Sequence, residues 1–141
     1  MLGYAAGADK GHGPAEGGFQ TFVVLKNHMA SVMPATLSFE AASVLPLGLS
    51  TAATALFEPD GLALERPSAT PRSTGKTVLI WGGSTSVGSN AIQLAVAAGY
   101  EVISTASPRN FDYVKQLGAP LVFDYASKSV VADIVAALKG R

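Results

Sequence analysis

Seven consecutive residues, Gly82-Gly83-Ser84-Thr85-Ser86-Val87-Gly88, set three glycines among three hydroxyl side chains, directly after the apolar run Thr77-Val78-Leu79-Ile80-Trp81. Glycine tolerates sharp turns and close backbone approach. Hydroxyls and backbone amides supply donors without charge. Where a strand passes through such a turn into a helix, the chemistry on offer is anion binding, with a phosphate as the usual occupant. Gly82 and Gly83 suit the turn, Gly88 suits close helix packing, and Ser84, Thr85 and Ser86 can add hydroxyl donors to a pyrophosphate.

The spacing is Gly82-x-x-Thr85-x-x-Gly88, with Gly83 as an extra glycine, and not the strict G-x-G-x-x-G pattern. A strand-to-helix turn that binds nothing would use the same glycines, but the position inside a strand–helix–strand unit favours a dinucleotide. Two rivals fit less well. Gly83 to Gly88 has the spacing of a Walker A loop, yet Ser89-Asn90 replaces the lysine and hydroxyl that would hold the outer phosphates and magnesium. A G-x-S-x-G nucleophile elbow fails because Ser86 stands where its second glycine is needed.

An NAD site places an acid at the end of the second strand, about 20 residues past the glycines, to bind the ribose 2′-hydroxyl. Here that region reads Ser104-Thr105-Ala106-Ser107-Pro108-Arg109-Asn110 and holds no acid, while Glu101 lies at the strand's other end. An anion fits this set better than a hydroxyl does. Arg109 could clamp the 2′-phosphate of NADP and Ser107 could donate to it. A solvated arginine at a helix start is the plainer alternative.

The elements that must position these groups follow in order. Residues 3–18 are loop by composition and 19–25 read as a strand, followed by an extended piece at 31–33. Ser38 caps a brief helix over 39–43, Pro46 opens a second helix ended by Pro59-Asp60-Gly61, and 61–76 reads as a linker. Strands are expected at 77–81, 101–105 and 121–124. The helix after Gly88 has Val87, Ala91, Leu94, Ala95 and Ala98 on one face and stops at Gly99. Asn110 caps a helix with Phe111, Val114 and Leu117 inward, stopped by Gly118. Ser129 caps a last helix with Val130 or Val131, Ile134 and Leu138 inward. This β-α-β-α-β-α run implies an α/β fold: half of a doubly wound (Rossmann) parallel sheet with right-handed crossovers. The other half is expected to begin where these residues stop. The glycine-rich start and the final helix suggest a chain cut at both ends.

Ten basic and ten acidic residues balance, which leaves no nucleic-acid footprint. There is no cysteine, which excludes disulfides, thiol catalysis and cysteine-ligated zinc. No signal peptide and no bilayer-spanning stretch are read here, so a soluble cytoplasmic protein without membrane partners is the expectation. His12 and His28 read as surface residues.

Four separated segments resemble the zinc-independent medium-chain dehydrogenase/reductases, nearest the quinone-oxidoreductase-like, trans-acting enoyl reductases of fungi: residues 17–24, 37–52, 75–95 and 107–119. Relatives of this kind are often labelled zinc-binding dehydrogenases. The resemblance implies a partial GroES-like catalytic domain over 1–45, a connecting helix and linker over 46–76, and the N-terminal half of an NADP-binding Rossmann domain over 77–141. It places Thr51 near the nicotinamide, the Gly82–Gly88 turn (Val87 included) on the pyrophosphate, Ser107 and Arg109 at the 2′-phosphate, and Tyr125 beside the adenosine. It implies NADPH as cofactor without zinc, an enone or enoyl thioester as substrate, and a polyketide synthase as possible partner. An incomplete NADP-binding fragment, or a redox-sensing module of the same fold, is the alternative. A sheet that stops at its first strand would expose Val78–Trp81 as an apolar edge, so self-association is expected.

Overall fold

The computed structural model describes residues 1–3, 5, 13 and 16–139. These divide into two compact units, Met1–Leu47 and Gly48–Arg141. Most of the loop read at 3–18, and His12 with it, lie outside the described residues.

The first unit pairs β1 (Leu2–Gly3) with β2 (Ala30–Ser31), antiparallel, and carries the short helix α1 (Phe39–Ser43). Ser38 caps α1 as its sequence suggests: its Oγ accepts the Ala41 amide at 3.2 Å. The strand read at 19–25 does not form. Phe19 and Phe22 are fully or largely exposed, and the segment enters neither of the described sheets. β-branched and aromatic composition favours a strand only where a neighbour takes up its backbone groups.

Helix α2 (Leu45–Phe57) leads into the second unit, where β3 (Thr77–Ile80), α3 (Ser86–Ala97), β4 (Glu101–Ala106), α4 (Phe111–Gln116), β5 (Leu121–Asp124) and α5 (Val130–Leu138) alternate. The three strands are parallel in the order β3-β4-β5, with Val78 opposite Val102 and Ser104 opposite Val122. The fold is therefore α/β, and β3 lies at one edge of this sheet. One sheet face carries Val78, Ile80, Val102 and Ala106, which pack with Ala52 and Leu56 of α2, with Ala91, Ile92 and Ala95 of α3 and with Val114 of α4.

Three details differ from the sequence reading. The inward face of α3 is Gly88, Ala91, Ile92 and Ala95, while Val87 is exposed. Small residues on both sides of this helix give the periodicity little contrast, and Ile92 decides the rotation. On α5, Val130 faces inward and Val131 outward. Residues 61–76 hold no regular element but are pinned down: the Ser68 amide donates to the Ala97 carbonyl at 2.8 Å, and the Thr74 amide to the Gly99 carbonyl at 3.0 Å. Gly99 and Gly118 end their helices at φ values of +87° and +114°, where a side chain would be strained.

Residues Phe39–Phe57, a stretch of 19, are long and apolar enough by length and composition to cross a bilayer. That corrects the expectation that no such stretch exists. About 22% of that stretch is buried, and within the second unit Ala52 and Leu56 pack in the core cluster.

Candidate functional site

Parallel strands put all their C-terminal ends on one edge of the sheet. The glycine turn after β3, the Ser107–Asn110 segment after β4 and Tyr125 after β5 therefore share that edge.

Gly82 turns the chain at φ +79°, and its amide donates to Thr105 Oγ1 at 3.0 Å. The Gly83 amide donates to the Thr105 carbonyl at 2.9 Å. A Cβ on Gly83 would run into Ser104 Oγ, and one on Gly88 into the Gly82 carbonyl, so both positions need glycine for close approach. Thr85 is the N-cap of α3: its Oγ1 accepts the Gly88 amide at 3.0 Å and donates to the Gly82 carbonyl at 2.9 Å. Its only hydroxyl proton is thus used inside the turn. In this structure Thr85 closes the loop.

The amides of Ser84, Ser86 and Val87 make no hydrogen bond among the described residues. The last two open a 12-residue helix with no acid in its first turn. Unpaired amides and the positive end of the helix dipole meet there. The donor set is neutral and flanked by glycines, a combination that suits an anion such as a pyrophosphate.

Ser107 begins a 3₁₀ turn, Pro108–Asn110, and is half-buried; Arg109 is exposed. Asn110 does not cap α4 with its side chain. Its Nδ2 donates instead to Ser84 Oγ at 3.2 Å and to Ser107 Oγ at 3.1 Å. The structure so joins the two serine positions that the sequence left apart. Sequence reasoning missed this role, and it missed Thr105 and Ser104 as well. Ser104 is buried and donates to the Ile80 carbonyl at 2.7 Å. Hydroxyls in the middle of an otherwise apolar strand were the available signal.

The acid nearest in register to Ala106 is Asp124, whose carboxylate accepts the Ala126 amide at 2.9 Å. Glu101 lies at the opposite end of the sheet, accepting from Thr77 Oγ1 at 3.2 Å. Thr51 is exposed on α2, less than one turn after Gly48. A Cβ on Gly48 would lie 2.7 Å from Ser86 Oγ and 2.9 Å from Asn90 Nδ2, so α2 runs against the first turn of α3. No hydrogen bond among the described residues joins Thr51, Arg109 or Tyr125 to the turn. Tyr125 is half-exposed.

Among the described residues, no three His, Asp or Glu side chains gather as a metal site would require. A surface cavity of about 530 Å³, lined by Ser73, Lys76, Gly99 and Glu101 among others, lies at the N-terminal ends of β3 and β4, away from the turn. The Glu40 carboxyl is held below its ordinary range by a hydrogen bond from its own backbone amide and one from the Ser38 hydroxyl; it sits at the start of α1, outside this site.

No protein-family model matches the chain. Among curated proteins, it is 57% identical to a dehydrogenase, pigH, of Monascus ruber, over all of this chain and 39% of the relative. It is 48% identical to a trans-enoyl reductase, himH, of Aspergillus japonicus, over 86% of this chain and 35% of the relative. The chain spans about two fifths of the length of the first of these. Among solved structures, an NAD-dependent alcohol dehydrogenase aligns at 29% identity and a TM-score of 0.69, over 84% of this chain and 32% of that one. The CurK enoyl reductase aligns at 27% and 0.65, over 78% and 30%. Mycobacterial Rv1454c, solved in complex with NADPH, aligns at 27% and 0.61, over 81% and 32%. The chain is a homologue of fungal dehydrogenases and trans-enoyl reductases, and it shares the fold of medium-chain enoyl and quinone reductases.

Proposed function

We propose that these residues form the dinucleotide-binding part of an NADPH-dependent oxidoreductase of the enoyl or quinone reductase type. The observation that carries the reading is the set of unpaired amides at Ser84, Ser86 and Val87, on the same sheet edge as the segment after β4, which holds Ser107 and Arg109 and no acid. The amides and Gly82, Gly83 and Gly88 suit the pyrophosphate. Ser107 and Arg109 suit the 2′-phosphate, Tyr125 the adenosine and Thr51 the nicotinamide side. Bound there, NADPH supplies a hydride for the β-carbon of an α,β-unsaturated carbonyl. The chain's own contribution is binding and orientation. The glycine turn lets the backbone come close, Thr85 and Thr105 hold it rigid, and the α3 terminus offsets negative charge.

The solved complex of Rv1454c with NADPH and the relatives named trans-enoyl reductase support this reading. An enone or enoyl thioester is the proposed substrate, and a polyketide synthase carrying such a thioester the proposed partner. With no cysteine in the chain, no zinc site of the cysteine-ligated type is proposed. A cytoplasmic location, where NADPH is available, goes with this chemistry. A second reading is favoured by the chain's spanning only about two fifths of a relative: these residues by themselves bind NADPH without turnover, as a cofactor-binding or redox-sensing unit.

Fluorescence titration of the chain with NADPH and NADH tests both readings. Binding that prefers NADPH is expected, and binding of neither would overturn them. Oxidation of bound NADPH by a small quinone or crotonyl thioester would favour the enzyme reading, and its absence the binding unit.

A further inference from the structure

Asn110 bonds two serines that belong to different elements. Its Nδ2 donates to Ser84 Oγ in the glycine turn and to Ser107 Oγ at the end of β4, at 3.2 and 3.1 Å. A primary amide nitrogen carries two protons, and these two bonds use both. Each serine oxygen is therefore an acceptor, and neither hydroxyl donates to any described residue. Each serine keeps its own proton. A hydroxyl that accepts a hydrogen bond is also a stronger donor, because linked hydrogen bonds polarise one another. The Asn110 amide donates to the Ser107 carbonyl at 2.8 Å, which closes the 3₁₀ turn and fixes the side chain's starting point.

From this arrangement we infer that Asn110 is a positioning residue that sets dinucleotide preference. It ties the turn to the β4 terminus and holds Ser84 and Ser107 as proton donors. A phosphate oxygen at neutral pH only accepts, so Ser107 held as a donor suits the extra 2′-phosphate of NADPH, while Ser84 suits the pyrophosphate that both dinucleotides share; the preference rests on Ser107 and on the neutral charge of Asn110 beside it. The inference rests on the dinucleotide reading of the site. Aspartate has almost the same shape as asparagine but reverses both features. Its carboxylate accepts, which draws the serine protons inward, and it adds a negative charge where a 2′-phosphate would lie.

The test is fluorescence titration of the 141-residue chain and its Asn110→Asp, Asn110→Ala and Ser107→Ala variants with NADPH and with NADH. Thermal melts without dinucleotide accompany it. Asn110→Asp is expected to weaken NADPH by about ten- to a hundredfold and NADH by less than about threefold, so the preference collapses or reverses. Asn110→Ala is expected to weaken NADPH by about three- to tenfold, and by less in a Ser107→Ala background, where one of its partners is already gone. An unchanged NADPH-to-NADH ratio in Asn110→Asp would overturn the inference and leave the dinucleotide reading intact. So would an equal loss of both dinucleotides with a lowered melting temperature, since that marks a purely structural role. A wild-type chain that binds neither dinucleotide would overturn the reading of the site and the inference with it.

Discussion

The Thr105 hydroxyl, fully buried in β4, accepts the amide of Gly82 at 3.0 Å. The central strand thereby holds the glycine turn by a side chain as well as by the sheet. The Gly82 amide is already spent, and the amides that make no hydrogen bond among the described residues are those of Ser84, Ser86 and Val87. Thr105→Val keeps the shape but leaves the Gly82 amide without a partner. A loss of about 0.5–1.5 kcal/mol is expected, the net worth of one such hydrogen bond, since Gly82 is only part-buried. Chemical denaturation measures it. Thr105→Ser, which keeps the hydroxyl, should lose less, and equal losses in the two would remove the hydrogen bond from the account.

Gly83 and Ser104 allow a second expectation. A Cβ on Gly83 meets Ser104 Oγ and comes to 2.7 Å from Ile92 Cδ1. Ser104 cannot swing away cheaply, because it is buried and donates to the Ile80 carbonyl at 2.7 Å. Gly83→Ala should therefore destabilise the unit by about 1–3 kcal/mol through overpacking. In Gly83→Ala/Ser104→Ala the first clash is gone and part of that loss should return. Thermal or urea unfolding of the single and double variants distinguishes this from a loss due to backbone conformation alone, which the second substitution would not relieve.

Residues 77–139 were legible because strand and helix signals there are local: apolar runs stop at glycines, and Gly99 and Gly118 take the positive φ that ends a helix. The sheet order followed from right-handed crossover rules. What composition could not carry was anything decided by a partner distant in sequence. Phe19 to Leu25 has strand composition but no described strand to pair with. Val87 and Gly88 differ in burial because Gly88 lies against the Gly82 carbonyl. Asn110 has the sequence context of a cap, yet its amide finds two serines, one of them 26 residues earlier. Thr85 was legible as part of the site and not as the residue that uses up its own proton.

Arg109 is exposed and at the second position of the 3₁₀ turn after β4. An exposed side chain with little packing should be removable at small cost to the fold, within about 0.5 kcal/mol. If it meets the 2′-phosphate, Arg109→Gln should weaken NADPH by about tenfold and leave NADH nearly unchanged. The wild-type affinity for NADPH should also fall more steeply with salt than the variant's. Titrations at two ionic strengths measure both. Equal salt slopes in the two proteins would place Arg109 in solvent, away from the ligand.

The edge strand β3 gives the last expectation. Within the described sheet it pairs only with β4, so its other side offers backbone donors and acceptors to a further strand. Val78 and Ile80 are covered by helices, but Leu79 and Trp81 are 40% and 56% exposed. An apolar, unguarded edge of this kind recruits a neighbour, and in the 141-residue chain alone the nearest candidate is a second copy. Sedimentation velocity over a range of concentrations should show reversible dimers or larger species. Leu79→Lys puts a charge beside the edge, as natural edge strands do, and should shift the population to monomer. It should do so without loss of the parallel sheet, since Leu79 contributes nothing to the cluster formed by Val78, Ile80 and Val102. A wild-type chain that sediments as a monomer at the highest concentration would overturn the expectation of association through β3.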